Sequence, residues 1–492
     1  MLKPKSLRAG PALAVALGLL AGCASGSTAA DRWAIRDPAP LKLEPCPVPG
    51  SAVMLECGIY HAPEDRSITG GRTIPLKVVV ARARKPLPGR YPIFYFDGGP
   101  GSAATRNAGF IATAPEREHH DYVLIDQRGT GDGHRLACPG PGTDTEMGSW
   151  LESVYQAPYP ERCRTKFGKT ADLRLYTTPI AMQDYDEIRR ALGYEKINLY
   201  GGSYGARSAM VYLKMFGDSA HAAMIGAHVP FEAKLPLYHP KGAQAALDRV
   251  FAECAADTAC HAAFPSPSAD YAAALARLRA TPVTVEFKHP QSGEPVTARL
   301  TAARFANTIR AMLYSLETQR QLPLALSKAA KGNFGMFATA AVFARGANMQ
   351  LAAGMALSAT CTEDVARITP AEIAREAKDT FLGERFVEER KEACAKWPTG
   401  MLPSDLFAPF TRDTPMLLIT GTHDPVTPKW MTEAYARHFP RSRTFTVPAG
   451  HSLPEGKCLT GIMLQLFATA DANEVDVSCT REMTVPPFAL PE

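Results

Sequence analysis

The stretch that most constrains this chain runs from Lys196 to Tyr212, KINLYGGSYGARSAMVY. Ile197 and Leu199 predict a short apolar strand, and the run from Tyr204 predicts a helix that begins at once, with Ser203 on the corner between them. Glycines two residues before and two after the serine let the backbone turn sharply enough to lift a hydroxyl over the N-terminus of the next helix. Such a corner also aims the backbone N–H of Tyr204 at any oxyanion formed on a substrate carbonyl. On its own the pattern is equally a glycine-rich turn in a doubly wound sheet, so its neighbours decide its meaning.

Around that stretch, short β-prone runs alternate with helical ones. Val53–Leu55 and Ile74–Val80 predict antiparallel strands joined by a turn at Thr69-Gly70-Gly71. Tyr91–Phe96 is an aromatic strand that stops at Asp97-Gly98-Gly99-Pro100-Gly101, a loop whose main-chain N–H groups can approach a ligand closely. With the Tyr204 N–H at the Ser203 corner as one half of an oxyanion hole, Gly99 is the candidate for the other. Tyr122–Ile125 is a buried strand leading into Asp126-Gln127-Arg128-Gly129-Thr130-Gly131, where an Asp126–Arg128 ion pair is expected to brace the loop. Thr178 as N-cap, Pro179 at the first helical position, and an apolar face of Ala181, Tyr185, Ile188 and Leu192 ending at Gly193 mark a helix feeding the Ser203 strand. Met224–His228 is the next strand. The alternation predicts an α/β fold with a mostly parallel central sheet.

From residue 230 to 410 the pattern turns helical and Ala-rich, with stretches at Gln244–Ala256, Ala269–Arg279, Ala302–Leu313 and Ala338–Leu357 and one strand at Val283–Phe287. This is read as an inserted helical cap, with Met336, Met349 and Met355 as core side chains. The sheet resumes at Pro415–Thr420, followed by Gly421-Thr422-His423-Asp424-Pro425. Arg443–Val447 is the last strand, followed by Pro448-Ala449-Gly450-His451-Ser452, and Cys458–Ala468 is a closing helix. Residues 41–229 and 411–492 are therefore the two parts of one core.

Ser203, Asp424 and His451 each follow a strand, in the chain order of a Ser–Asp–His triad. A serine hydroxyl needs a base to become a nucleophile. His451 would take its proton, Asp424 would fix the imidazole tautomer, and the N–H groups of Tyr204 and Gly99 would receive the negative charge. His423 is the rival base, but its side chain is expected to point away from the partner of its neighbour Asp424.

The 492 residues, 46% hydrophobic and 21% charged, are enough to bury a large core, and the net charge of +5 is spread without a basic block, which argues against nucleic acid as a partner. At the N-terminus Lys3, Lys5 and Arg8 precede the apolar run Pro11–Ala21, too short to be a permanent span and suited to a signal h-region. The run ends in Leu20-Ala21-Gly22-Cys23, which resembles a bacterial lipoprotein signal. Cys23 would then be lipidated and anchor an exported protein to a membrane, at the periplasm or cell surface, with residues 24–40 as a tether. The alternative is ordinary cleavage near Ala29-Ala30.

Apart from Cys23 the chain carries Cys46, Cys57, Cys138, Cys163, Cys254, Cys260, Cys361, Cys394, Cys458 and Cys479. In an exported chain this even set reads as five disulfides, of which pairing by order is the simplest arrangement. No C-x-x-C occurs and the histidines lack ligand spacing, so neither a metal nor a cofactor is expected.

The motifs FDGGPGSA, DQRGTG, INLYGGSYG, GTHDPVTP and PAGHS together resemble the exported branch of the prolyl iminopeptidase and tripeptidyl aminopeptidase group of α/β-hydrolases. The resemblance implies a serine aminopeptidase that releases residues from the free N-terminus of a peptide. Asp97 stands where cytosolic prolyl iminopeptidases have histidine, which weakens the transfer of proline specificity. Recognition of a substrate ammonium calls for a buried anion, and the candidates are Glu363 and Asp364, beside Cys361. An exported carboxylesterase and a non-catalytic surface-binding protein are the competing expectations.

Overall fold

The computed structural model describes residues 33–48, 52–138, 155–156, 158–230, 232–288 and 293–491, with the side chains of 345–349 left aside. The expected signal segment, Cys23 and the start of the tether lie outside the described residues. Among the described residues no helix is long and apolar enough to cross a membrane.

Among the described residues, nine strands form one sheet. In sequence these are β1 (Glu44–Pro47), β2 (Met54–Pro63), β3 (Thr73–Ala81), β4 (Ile93–Phe96), β5 (Tyr122–Ile125), β6 (Ile197–Gly202), β7 (Ala220–Gly226), β10 (Met416–Gly421) and β11 (Ser442–Val447), and they lie side by side in the order β1-β2-β3-β5-β4-β6-β7-β10-β11. The pairs from β1 to β5 are antiparallel, and every pair from β5 through β4, β6, β7 and β10 to β11 is parallel. Alternating side chains of the strands serve two cores. Val78, Val80, Phe94, Val123, Leu199, Ile225 and Leu418 face the helices Thr178–Ala191 and Tyr204–Phe216. Val79, Ile93, Leu124, Ala222, Met224, Leu417 and Ile419 pack with the helix Lys457–Thr469 on the other side. Such two-sided burial explains why these strands read as continuous apolar runs.

Between β7 and β10 the chain is largely helical, including His239–Ala256, Pro267–Ala280, Ala302–Met312, Leu322–Ala330, Gly335–Met349, Ala353–Glu363 and Arg385–Ala395. Its strand at β8 (Val283–Lys288) is one arm of a hairpin whose partner, β9 (Pro295–Leu300), was not expected from the sequence. The expected continuous helix over Ala338–Leu357 is two helices, separated at residues 350–352. This segment has a core of its own, with Leu247, Phe305, Leu326, Phe337 and Val387 fully or almost fully buried. Its later part does not stay with that core: Ala352, Met355, Leu357, Ala359, Cys361, Trp397 and Leu406 pack against the sheet helices instead. Met355 is thus a core side chain, Met336 is partly buried against the separate core, and the side chain of Met349 lies outside the described residues.

Three local expectations are corrected. The N-cap of the helix preceding β6 is Thr177, because Thr178 is already helical and gives its N–H and hydroxyl to Glu363. Asp126 and Arg128 do not pair. Asp126 accepts hydrogen bonds from the N–H and hydroxyl of Thr105, whereas Arg128 meets Asp184 and the carbonyls of Pro63, Glu64 and Leu175. Of the expected tether, residues 33–40 lie along the body of the protein, with Trp33 and Ala39 packed on the sheet core and the Ala39 N–H donated to Tyr60 at 3.2 Å.

The ten cysteines other than Cys23 meet in sequential pairs: Cys46–Cys57, Cys138–Cys163, Cys254–Cys260, Cys361–Cys394 and Cys458–Cys479.

Candidate active site

Sheet register brings the site together. Phe96, the last residue of β4, is paired with Gly201 of β6, so the loop after β4 and the Ser203 corner leave the same edge side by side. Gly421 of β10 is likewise paired with Val447 of β11, which sets the Asp424 and His451 loops next to each other. In parallel sheets the carboxyl ends of adjacent strands are where loops converge on a ligand.

Ser203 sits on that edge at φ 57°, ψ −126°, a backbone state that a non-glycine residue adopts only when the surroundings enforce it. Enforcement comes from Gly205, where a Cβ would overlap the carbonyl of Phe96 and lie 2.9 Å from that of Asp97. Only glycine lets the elbow helix approach β4 this closely. The Oγ of Ser203 is 2.9 Å from Nε2 of His451, and Nδ1 of His451 is 3.0 Å and 3.1 Å from the two carboxylate oxygens of Asp424.

Asp424 is held by its own loop. Oδ1 accepts the N–H groups of Val426 (2.7 Å) and Thr427 (2.9 Å), and Oδ2 accepts the Thr427 hydroxyl (2.6 Å). Burial pushes the carboxyl up, but His451 and the hydrogen bonds from Thr427 outweigh it and leave Asp424 below the usual carboxylate range. It therefore stays ionised beside the imidazole. His423 is occupied elsewhere, with its ring nitrogens 2.7 Å from the Thr422 hydroxyl and 2.8 Å from Glu253.

The glycine-rich loop abuts the elbow: a Cβ on Gly98 would stand 3.7 Å from that of Ser203. Asp97 braces this loop, accepting the Gly98 N–H at 2.7 Å, the Tyr95 hydroxyl at 3.3 Å and the Asn107 amide at 3.3 Å. Burial raises its carboxyl above the ordinary aspartate value. Gly99, Ser203, Tyr204 and His451 all line one cavity of about 750 Å³, together with Glu363, Asp364 and Arg207. Its walls come from both the sheet loops and the segment between β7 and β10.

Glu363 and Asp364 have different partners. Asp364 is paired with Arg207 at 2.5 Å and accepts the Leu235 N–H at 3.1 Å. Glu363 is not ion-paired among the described residues; it accepts the N–H of Thr178 at 2.6 Å and its hydroxyl at 2.8 Å. Burial pushes its carboxyl up to about 7, against the pull of Arg207 and the Thr178 N–H. The Thr178 hydroxyl lies 2.7 Å from that of Tyr204, so Glu363 is linked to the residue after Ser203.

Sequence reasoning missed Tyr314. Its carbonyl accepts the N–H of His451 at 2.8 Å and of Ser452 at 3.2 Å, and its ring meets the imidazole edge-on at 5.2 Å between centroids. No local motif marks it, because it lies far from the histidine in sequence and reaches it only through tertiary packing.

A sequence profile described as the alpha/beta hydrolase fold matches residues 91–457, well over half of the chain. The chain belongs to the α/β-hydrolase fold family. Over 190 residues it is 26% identical to a tripeptidyl aminopeptidase of Streptomyces coelicolor, a match covering 35% of this chain and 34% of that one. Over 236 residues it is 28% identical to the serine protease Hip1 of Mycobacterium tuberculosis, covering 43% of each. The matches thus span 34% and 43% of the length of these two relatives. Among solved structures, a proline iminopeptidase of Mycobacterium smegmatis aligns with a TM-score of 0.40 at 15% identity, over 81% of this chain and 96% of that one. Within the α/β-hydrolase fold, the strand order and the elbow place the Ser203 edge at the expected carboxyl end of the parallel strands.

Proposed function

We propose that this α/β-hydrolase is an exported serine aminopeptidase that removes residues from the free N-termini of peptides. The observation that carries the reading is the 2.9 Å contact between Ser203 Oγ and His451 Nε2, with Asp424 behind the imidazole. As Oγ bonds to the scissile carbonyl carbon, His451 takes its proton, and the N–H groups of Tyr204 and Gly99 donate to the new oxyanion. His451 then protonates the leaving nitrogen, the C–N bond breaks, and an acyl group remains on Ser203. Water, deprotonated by the same histidine, releases it.

Peptide selectivity rests on Glu363. Asp364 has its charge balanced by Arg207, whereas Glu363 is buried, faces the cavity and would gain an ion-pair partner from a substrate ammonium. The helical segment between β7 and β10 acts as the cap. The relatives named tripeptidyl aminopeptidase and serine protease support the same chemistry. Lipidation at Cys23 would hold the enzyme at a membrane, and the five sequential cysteine pairs suit an oxidising compartment.

The test is a defined peptide library, intact or N-terminally acetylated, with a serine-directed phosphonate as active-site probe. Cleavage that acetylation abolishes, and labelling that Ser203→Ala abolishes, are expected. Turnover of acyl esters but of no peptide would replace the peptidase by a carboxylesterase, and absence of labelling would remove the enzyme reading.

A further inference from the structure

Beyond the triad and Glu363, the cavity holds a second group of charged side chains that the reaction as described leaves without a task. Arg310, on the helix Ala302–Met312, and Arg390, on the helix Arg385–Ala395, both line it, as does His239. Among the described residues no carboxylate forms an ion pair with either arginine. Glu389, next to Arg390, is engaged by Arg385 at 3.5 Å and by Gln156 at 2.9 Å. Arg390 lies on the rings of Phe386 (3.6 Å) and Tyr155 (4.3 Å) and donates to the Phe386 carbonyl, while Arg310 lies over Phe386 at 5.2 Å and Tyr314 at 5.1 Å. Aromatic faces hold a guanidinium in place without neutralising it.

His239 reports on the same spot. Both of its ring nitrogens and the Nε of Arg310 are buried without a hydrogen-bond partner among the described residues. Burial, with Arg310, Arg390 and His451 adding to it, holds the imidazole well below its ordinary value, so it is neutral and has one N–H to give. Burial also pulls Arg390 down to about 10, still charged at neutral pH. Two cations and an unused donor facing one cavity form an arrangement that a carboxylate completes and a neutral group leaves unpaired.

The location says which part of a substrate this would be. Arg310 donates to the Tyr314 hydroxyl at 2.7 Å, and Tyr314 is the residue that holds the His451 loop. Histidine in such a triad delivers its proton to the leaving group, so what surrounds its ring meets the leaving portion. Glu363, by contrast, is connected to the elbow through Thr178 and Tyr204. We infer that Arg310, Arg390 and His239 form a subsite for a carboxylate on the leaving portion of the peptide, so that the cavity reads an amine at one part of its substrate and an anion at another. This inference rests on the peptidase reading.

The carboxylate has two possible sources, the C-terminus of a short peptide or an acidic side chain just after the scissile bond. From a peptide that the library digest shows to be cleaved, three versions separate them: a short leaving portion with a free C-terminus, the same with a C-terminal amide, and the amide with Asp at the first leaving position. Wild-type kcat/KM is expected to be about tenfold or more higher for one of the anionic versions than for the neutral amide, mainly through KM. Preference for the first assigns a C-terminal carboxylate and hence short peptides, and preference for the third an acidic side chain. In Arg310→Gln and Arg390→Gln, checked for folding by phosphonate labelling of Ser203, that ratio falls towards one, and Arg390→Lys retains part of it. Equal wild-type rates on all three versions overturn the subsite and leave the peptidase standing, as would variants that keep the wild-type ratio. A library with no cleaved member removes both.

Discussion

Tyr314 and His451 are joined twice, by a backbone hydrogen bond of 2.8 Å and by an edge-on ring contact with centroids 5.2 Å apart. The histidine loop is therefore positioned by a residue of the helical segment, not by the sheet alone. Replacing Tyr314 by Ala keeps the carbonyl and removes the ring, freeing the imidazole to turn away from Ser203. The expected result is a fall in kcat of about 10- to 100-fold with a smaller change in KM, while Tyr314→Phe, which keeps the ring, falls less. Steady-state kinetics on one cleaved peptide measures both.

Gly205→Ala tests the close approach at the elbow. The added Cβ meets the backbone of Phe96 and Asp97, neither of which is a flexible side-chain end. A cost of about 1–3 kcal/mol or more is expected, seen as a lower Tm, together with slower phosphonate labelling as the loop after β4 is pushed from Ser203.

Glu363 makes stability depend on pH in a definite direction. Its carboxyl is raised from 4.5 to about 7, so between those values the folded chain keeps a proton that the unfolded chain has lost. Its contribution is fully present below the lower value and is lost as pH rises through about 7. Glu363→Gln should flatten this part of the profile, so that thermal melts show the variant gaining on wild type at pH 8 relative to pH 5. In kinetics the same variant should lose the preference for free over acetylated N-termini.

Asp184 anchors two buried arginines at once, Arg66 at 2.7 Å and Arg128 at 2.7 Å. Glu187 also serves Arg66, at 2.8 Å, but the other partners of Arg128 are main-chain carbonyls. Asp184→Asn leaves the Arg128 charge buried without a counter-ion, which typically costs about 3–5 kcal/mol. Urea unfolding of the two proteins gives the difference.

These cases also show what the sequence could carry. Strands such as Tyr122–Ile125 were legible because two-sided burial writes a continuous apolar run, and the elbow was legible because its glycines are a local steric demand. The meeting of Ser203, Asp424 and His451 followed from their places after strands that turn out to be in register. What stayed hidden depends on partners distant in the chain. Arg128 pairs with Asp184 and not with its near neighbour Asp126, and Thr178 gives its N–H to Glu363, which moves the N-cap to Thr177. The hairpin arm β9 was missed because its pattern, PVTARL, is short and half exposed.

The bond between Cys361 and Cys394 ties the helix bearing Glu363 to the helix bearing Arg390, and both of those side chains face the cavity. In the proposed reading, where these two charges hold the ends of a peptide, the bond fixes the spacing between them. Reduction removes that covalent tie, so a reduced chain is expected to hold a peptide less tightly than the oxidised one.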